Sequence, residues 1–262
     1  MSGTPDPRAS WRLMIPAAIA LCGAAALAAF AVSAIASPAD STSSLAITLE
    51  TDANSRYLWR GLTLSQGSVL QPSVSAAWSG FTLGAWGNVD RFHADAPGLN
   101  EVDVTLSFEA SRGPLTFRPS IYVYEYPNSS SPATGEAEAQ LSLDLPGGAG
   151  IFARHTMDQS AYRGANFSAV GLTVEQELPA AWSLAASAQA GRGSRRFVST
   201  YLAEPANPIT VLAGTLAATW SGLGATYLRP HVDFCAVPDA DLRARAGSPP
   251  SVTFGMALGR SF

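Results

Sequence analysis

The stretch Ser251-Val-Thr-Phe-Gly-Met-Ala-Leu-Gly-Arg-Ser-Phe262 alternates in polarity, and this alternation decides the fold. Val252, Phe254, Met256, Leu258 and Phe262 share one parity, whereas the opposite parity carries only small or polar residues. A period of two predicts a β-strand with one apolar face. A tilted strand needs roughly 9–11 residues to cross a bilayer. The stretch therefore predicts the closing strand of a membrane barrel, with Phe262 at the membrane interface.

The beginning of the chain has the pattern of an export signal. Arg8 and Arg12 precede an apolar run over 13–36, which ends in the small-x-small sequence Ala34-Ile35-Ala36. This pattern predicts a cleaved signal peptide at 1–36, followed by a short periplasmic leader at 37–44. The run is also long enough for a retained membrane anchor. Its small residues, and the strand pattern after it, favour cleavage and export to the bacterial outer membrane.

Composition excludes several classes of function. The 262 residues carry a net charge of −4, and 14% of them are charged. Nucleic-acid binding needs a basic face, which is missing here. Of the 2 Cys, Cys22 leaves with the signal peptide and Cys235 remains alone, so no intramolecular disulfide or Cys-based metal site can form. No cofactor or metal is expected.

Connections between the strand-like segments alternate between short and long. Short turns are predicted at Ser79-Gly80, Ser111–Pro114, Pro146–Gly148, Pro179-Ala180 and Ser221-Gly222, and long loops at 62–68, 91–100, 127–135, 158–165, 192–208 and 235–250. An up-and-down barrel has short periplasmic turns and long external loops. Residues 45–262 are therefore predicted to form an all-β, antiparallel transmembrane barrel of about twelve strands.

The polar face of each strand is predicted to line the barrel lumen. In 101–110 and 136–145, acidic and other polar residues alternate with apolar ones, and the apolar face must meet lipid. Arg118 is placed inward because an Arg facing lipid at the midplane costs roughly 2–4 kcal/mol. The predicted pore-lining residues are Glu50, Asp52, Arg56, Arg60, Asp103, Glu109, Arg118, Tyr122, Tyr124, Glu136, Glu138, Asp144, Arg154, Glu175, Arg229, His231 and Asp233, with Glu101 on the same parity.

Aromatic residues near the segment ends are predicted to lie at the membrane interfaces, on the outer face. They are Tyr57, Trp59, Trp78, Trp182, Trp220 and Phe262. The alternative for these side chains is ordinary core packing. The expected surroundings are outer-membrane lipid and lipopolysaccharide, reached through periplasmic chaperones and the barrel-insertion machinery.

A series of short motifs resembles one family. Arg56-Tyr57-Leu58-Trp59-Arg60-Gly61, Ser65-Gln66-Gly67, Gln71-Pro72-Ser73-Val74 and Gly84-Ala85-Trp86-Gly87-Asn88-Val89-Asp90 follow one another. The series, which covers Ser55 to Asp90, resembles the opening hairpins of the TorF-type porins. The resemblance implies an outer-membrane barrel that acts as a channel, and it names no solute.

The predicted function is passive diffusion of small hydrophilic solutes with a mild preference for cations, because acidic residues outnumber Arg on the lumen parity. Arg56 and Arg60, near Glu50 and Asp52, either orient solutes in a transverse field or form structural ion pairs. Cys235 is expected at the start of an external loop, accessible to reagents.

Two other functions are considered: an enzyme that modifies outer-membrane lipid, and an adhesive barrel acting through its loops. His155 points outward near the rim, but Met157 occupies the position where a nucleophilic Ser would be needed, and His93 lies in a loop. No catalytic residue is predicted.

Overall fold

The structure, a computed structural model, describes residues 44–91, 97–202, 208–246 and 250–262. The predicted signal peptide at 1–36, most of the leader at 37–44, and His93 lie outside these ranges. β1 begins at Ala46, close to the predicted start of the barrel.

The described chain is built almost entirely of strands. None of its helices is long and apolar enough to cross a membrane. The strands are β1 Ala46–Asn54, β2 Tyr57–Trp59, β3 Leu62–Ser65, β4 Val69–Trp78, β5 Phe81–Asp90, β6 Gly98–Phe108, β7 Ala110–Arg112, β8 Leu115–Glu125, β9 Thr134–Leu145, β10 Ala149–Asp158, β11 Asn166–Leu178, β12 Trp182–Gly193, β13 Ile209–Leu223, β14 Thr226–Ala236 and β15 Ser251–Ser261; the helices are α1 Arg195–Tyr201 and α2 Ala240–Ala246, and Pro146–Gly148 form a 3-10 turn.

The strands close into a ring. Its order is β1, β4, β5, β6, β8 and then β9 to β15, and β15 pairs with β1. β7 continues β6 beyond Glu109 in the same register, so the two segments form one wall strand. A closed ring leaves no unpaired strand edge, which lipid could not hydrogen-bond. The prediction of a twelve-stranded antiparallel barrel is confirmed.

The two faces of the wall differ as the alternation requires. On β15, the side chains of Phe254 and Leu258 are 64% and 54% exposed, whereas Thr253 and Ala257 are buried. The exposed apolar residues form the surface that faces lipid, and the opposite parity faces the lumen.

Short turns join the strands at one end of the barrel, called here the short-turn end; the other end is the long-loop end. Ser79 and Gly80 have φ angles of 49° and 84°, which suit a two-residue hairpin. The last short turn lies beyond its predicted position at Ser221-Gly222, because β13 continues to Leu223 after a register shift.

The first long connection folds into the lumen. β2 and β3 form a hairpin with Arg60 and Gly61 at its tip, where φ is 43° and 88°. A Cβ added to Gly61 would lie 2.8 Å from Val211 Cγ2 and 3.3 Å from Val237 Cγ2. The tip therefore contacts the inner face of β13 and the residue that follows β14. We call this segment the lumen hairpin.

Two further connections cover part of the long-loop end. α1 begins after Ser194, whose hydroxyl accepts a hydrogen bond of 3.2 Å from the Phe197 N–H. Phe197 and Val198 are fully buried, and they pack on inward side chains of β11 and β13 and on α2. We call this group the mouth cluster: Ala165, Phe167, Ala169, Phe197, Val198, Ile209, Val211, Val237 and Leu242.

Candidate functional site: the barrel lumen

The strand register places most of the predicted pore-lining residues on the inner face of the ring. Acidic side chains outnumber basic ones on this face among the described residues. The residues on it are Glu50 and Asp52 of β1, Glu101 and Asp103 of β6, Glu109 between β6 and β7, Arg118, Tyr122 and Tyr124 of β8, Glu136, Glu138 and Asp144 of β9, Arg154 of β10, Glu175 of β11, and Arg229, His231 and Asp233 of β14.

A buried ion pair ties the lumen hairpin to the far wall. Both Arg60 Nη atoms donate hydrogen bonds of 2.7 Å to the two carboxylate oxygens of Glu136. The Tyr124 hydroxyl donates a third, of 2.8 Å. Glu136 is 3% exposed and Arg60 12% exposed. Paired hydrogen bonds of this geometry are the strongest that a carboxylate makes, so the hairpin crosses the lumen under firm restraint.

The aromatic residues of the lumen hairpin do not lie at the membrane interface, and this part of the prediction is wrong. The Tyr57 ring centroid is 5.6 Å from that of Trp86, which faces the lumen from β5. Trp59 stacks on Phe197 at 5.7 Å. Both rings lie inside because the wall strand β1 ends at Asn54, so its parity does not extend to the residues that follow.

The two Arg residues of this connection also leave the wall. Arg56 follows the end of β1 and lines a cavity beside the hairpin. Arg60 pairs with β9 rather than with the neighbouring carboxylates Glu50 and Asp52. The expected grouping of these four charges is therefore not formed.

The lumen hairpin separates two cavities. The inner cavity has a volume of about 530 Å³ and is lined by residues such as Asp52, Arg229 and Asp233. A second cavity of about 320 Å³ lies at the long-loop end, and we call it the vestibule. Tyr57 and Trp59 line both. The hairpin thus forms the partition between the vestibule and the inner cavity.

Ionic contacts on β14 line the inner cavity. His231 Nε2 lies 3.0 Å from an Asp52 oxygen, and His231 Nδ1 lies 2.8 Å from Asp233. Only a protonated imidazole can donate to both carboxylates. Arg229 lies 2.7 Å from Glu50. These contacts neutralise much of the acidic charge of β1.

Two other Arg side chains have no carboxylate partner. Arg118 contacts Gln140 at 3.4 Å, and Arg154 donates to Gln189 at 2.9 Å. Neither forms an ion pair among the residues that the structure describes, and the Nε of each is buried without a hydrogen bond. Glu138 instead accepts hydrogen bonds from hydroxyl groups.

Carboxamides connect four wall strands on the β1–β6 side. Asn54 donates to Gln71 at 3.0 Å, Gln71 to Asn88 at 3.0 Å, and Asn88 to Asn100 at 2.8 Å. Sequence reasoning assigned these residues no role. Their common inward parity was the available signal.

The short-turn end of the lumen is acidic and open. Glu109, Asp144 and Glu175 are exposed there. On the outer face of the same end lie Trp78, Trp182, Trp220 and Phe262, and the rings of Trp182 and Trp220 are 6.5 Å apart.

Tyrosines of the long connections complete the mouth. Burial raises the pKa of the Tyr162 and Tyr201 phenols, and the nearby Asp158 carboxylate raises both further. Tyr126 shifts in the same direction, again mainly through burial. All three phenols therefore remain protonated hydrogen-bond donors at neutral pH.

A polar pair lies on the outer face near the long-loop end. His155 Nδ1 is 2.8 Å from Ser168 Oγ, across the β10–β11 register, and both residues are exposed. The sequence prediction considered only the position two residues after His155, whereas the serine that contacts this His lies on the neighbouring strand. No third group forms a hydrogen bond or an ion pair with the His155 ring among the described residues, so nothing orients it as a general base. Over all the residues that the structure describes, no group of His, Cys, Asp and Glu is arranged to hold a metal ion.

Cys235 lies under the tip of the lumen hairpin. It is 5% exposed on the inner face of β14, and its thiol contacts the backbone of Gly61. The sequence-based expectation of an accessible thiol is therefore wrong.

We expect an impermeant maleimide to label Cys235 slowly in whole cells and rapidly after denaturation. A matched Cys at exposed Ser129 should react at once, and fast labelling of Cys235 would contradict the docked hairpin.

Comparison with solved structures identifies the fold. The barrel is similar to the NanC porin, with a TM-score of 0.56 and 14% identity, covering 81% of this chain and 98% of that one. It is similar to the KdgM porin, with a TM-score of 0.53 and 9% identity, covering 82% and 99%. The fold is that of an outer-membrane β-barrel of the porin type.

A family model then places the chain more closely. Residues 38–200 match the model Gcw_chp, described as a bacterial protein of unknown function, and the chain belongs to this family. No curated protein matches the chain.

Proposed function

We propose that this chain is an outer-membrane channel through which small hydrophilic solutes diffuse passively, with a modest preference for cations. The observation that carries the proposal is the closed ring of strands around a polar, charged lumen that holds cavities of about 530 and 320 Å³. A membrane barrel that only anchors loops has no need of such an interior. Conductance of the purified barrel in planar bilayers tests the proposal, and an absence of conductance would contradict it.

Unpaired charge supports the cation preference. Asp103 and Glu138 face the lumen without an ion pair in the described part of the chain, and one oxygen of Asp103 is buried without a hydrogen bond. Fixed carboxylates in a narrow, low-dielectric passage favour cations. Arg118 and Arg154 oppose this field, so the preference is modest.

Reversal potentials under a salt gradient should show this preference. We expect Arg118→Glu to strengthen it and Asp103→Asn with Glu138→Gln to weaken it, because each change alters unpaired lumen charge. The preference should decline as the screening length falls to roughly 3 Å at 1 M salt. Glu125→Gln at the end of β8, on the outward parity that it shares with its partner Val102, is the control and should leave it unchanged. Anion preference in the unmodified barrel would overturn the assignment.

The export route belongs to the same proposal. Residues 1–36 act as a cleaved signal peptide and 37–44 as a periplasmic leader, and chaperones and the barrel-insertion machinery deliver the chain to a membrane containing lipopolysaccharide. The motif series over Ser55 to Asp90 supports membership of the TorF-type porins. The short turns at one end of the barrel and the long loops at the other support the orientation with short turns in the periplasm.

The channel is proposed to have no enzymatic activity. The His155–Ser168 pair is the feature on which a lipid-modifying enzyme would depend, and no third group orients its His among the described residues. Purified barrel should turn over neither phospholipid nor lipid A. Turnover that Ser168→Ala abolishes would establish the enzyme instead.

A further inference from the structure

The vestibule is lined largely by aromatic rings. Six rings face this cavity of about 320 Å³: Tyr57, Trp59, Tyr124, Tyr126, Tyr162 and Tyr201. Trp59 and Tyr201 meet edge to face, at 5.0 Å and 67°, and Tyr162 meets Tyr201 at 5.5 Å and 65°. Rings set nearly at right angles make a concave wall that offers both faces and edges. The negative face of an aromatic ring attracts C–H groups, which carry slight positive charge.

Between the rings lie hydrogen-bonding groups with free capacity. The phenol hydroxyls of Tyr126, Tyr162 and Tyr201 have no hydrogen-bond partner in the described chain, and Asn100 uses its oxygen to accept from Asn88 while its own NH₂ stays unused. Ser131 also lines the cavity. Donors and acceptors thus alternate with apolar ring faces around one small space. A pyranose is complementary to this pattern, because its apolar C–H face can lie on the aromatic rings while its hydroxyls reach the donors and acceptors between them.

The charge of the vestibule narrows the ligand class. No Arg or His lines it among the described residues, and its one carboxylate, Glu101, is 9% exposed. Glu101 lies beside the Tyr57 phenol and forms no ion pair in the described chain. In its ionised form this carboxylate repels an anionic sugar, and in either form it accepts hydrogen bonds from sugar hydroxyls. A quaternary ammonium would satisfy the carboxylate and the rings, but it could not use the free hydroxyls and amide.

We infer that the vestibule binds uncharged sugars of one or two rings before they pass the lumen hairpin. A volume of about 320 Å³ lies at the small end of ligand pockets, which span roughly 300–1,000 Å³, and this limits the length of the sugar. The inference names a solute class for the channel proposed above and depends on that channel for the route of the sugar. Binding itself does not require conduction.

The test uses the folded full-length barrel in detergent, with the change in tryptophan fluorescence as the binding signal. Glucose and maltose are the neutral probes, galacturonate is the anionic sugar probe, and choline is the cationic probe. We expect saturable binding of maltose, and binding of galacturonate and choline at least about ten-fold weaker. Glu101→Gln and Tyr126→Ala should each weaken maltose binding about ten-fold, because each removes one element of the site. Glu109→Gln removes the same charge at the distant short-turn end, outside the vestibule, and should leave maltose binding unchanged.

In Glu101→Gln, the discrimination against galacturonate should also shrink, which a merely structural effect would not produce. Tyr126 lies in a loop, so Tyr126→Ala keeps the test valid if Glu101→Gln fails to fold. Absence of saturable sugar binding would overturn the inference, as would choline or galacturonate binding as tightly as maltose. Conductance of the same preparation separates the two proposals: a barrel that conducts without binding sugar removes only the inference, and one that binds without conducting removes only the channel.

Discussion

Replacing Arg60 by Gln is expected to release the lumen hairpin from the wall. Glu136 would then remain nearly fully buried without its cation, and removing one partner of such a pair costs roughly 3–5 kcal/mol. The hairpin can avoid this cost by leaving the lumen, since a solvated Glu136 needs no partner. We expect higher single-channel conductance, because the partition between the vestibule and the inner cavity opens.

The thiol beneath the hairpin gives a second readout of the same change. Maleimide labelling of Cys235 should accelerate by more than about 100-fold in Arg60→Gln, the factor that corresponds to about 3 kcal/mol. Arg229→Gln is the matched control, because it also breaks an ion pair in the lumen. The Arg229 side chain is 34% exposed, and its partner Glu50 belongs to β1 rather than to the lumen hairpin. Adding Glu136→Gln should restore part of the protection. Unchanged labelling and conductance in Arg60→Gln would show that the ion pair does not hold the hairpin.

Deleting Phe262 is expected to reduce the assembled barrel at least ten-fold. Its N–H donates to Ile47 O at 2.8 Å, and its carbonyl accepts from Ile47 N at 3.2 Å, so the residue completes the seam between β1 and β15. Its ring is 64% exposed on the outer face, where an interfacial aromatic anchors the strand end. Loss of both leaves the backbone groups of Ile47 unpaired at the end of the β1–β15 seam, and lipid cannot hydrogen-bond them.

Heat-modifiable mobility and membrane fractionation measure this assembly. Phe262→Tyr keeps the backbone bonds and an interfacial aromatic, and should assemble normally. The truncated chain should accumulate in the periplasm or be degraded. A normal outer-membrane yield of the truncated chain would contradict a role for Phe262 in closure.

The wall of the barrel could be predicted from the sequence because two independent patterns agree. Alternation with a period of two indicates which side chains share a face. The predicted export signal then indicates that the apolar face of each strand meets lipid. The alternation of short turns and long loops then gave the number of strands. Arg118 and His231 lie on the inner face for this reason.

The contents of the lumen could not be predicted in the same way. The segment Tyr57-Leu58-Trp59 has the composition of a strand, and the structure confirms that it forms one. Local periodicity, however, does not distinguish a strand of the barrel wall from a strand inside the ring. The partners that hold the segment inward lie far along the chain: Glu136 for Arg60, and Phe197 for Trp59. Only tertiary contacts place it. The same limit applies to α1, because the sequence predicts a loop over 192–208 and does not indicate that Phe197 is buried.

The contacts of the lumen hairpin also set an order of assembly. Arg60 and Gly61 belong to the first long connection, yet they contact Glu136 of β9, Val211 of β13 and Val237, which follows β14. Contacts between segments so distant in sequence form late, because the intervening chain must be organised first. We therefore expect the passage to be wide while the ring forms and to narrow only when the ring is nearly complete, so that an incomplete barrel should leak more than a finished one.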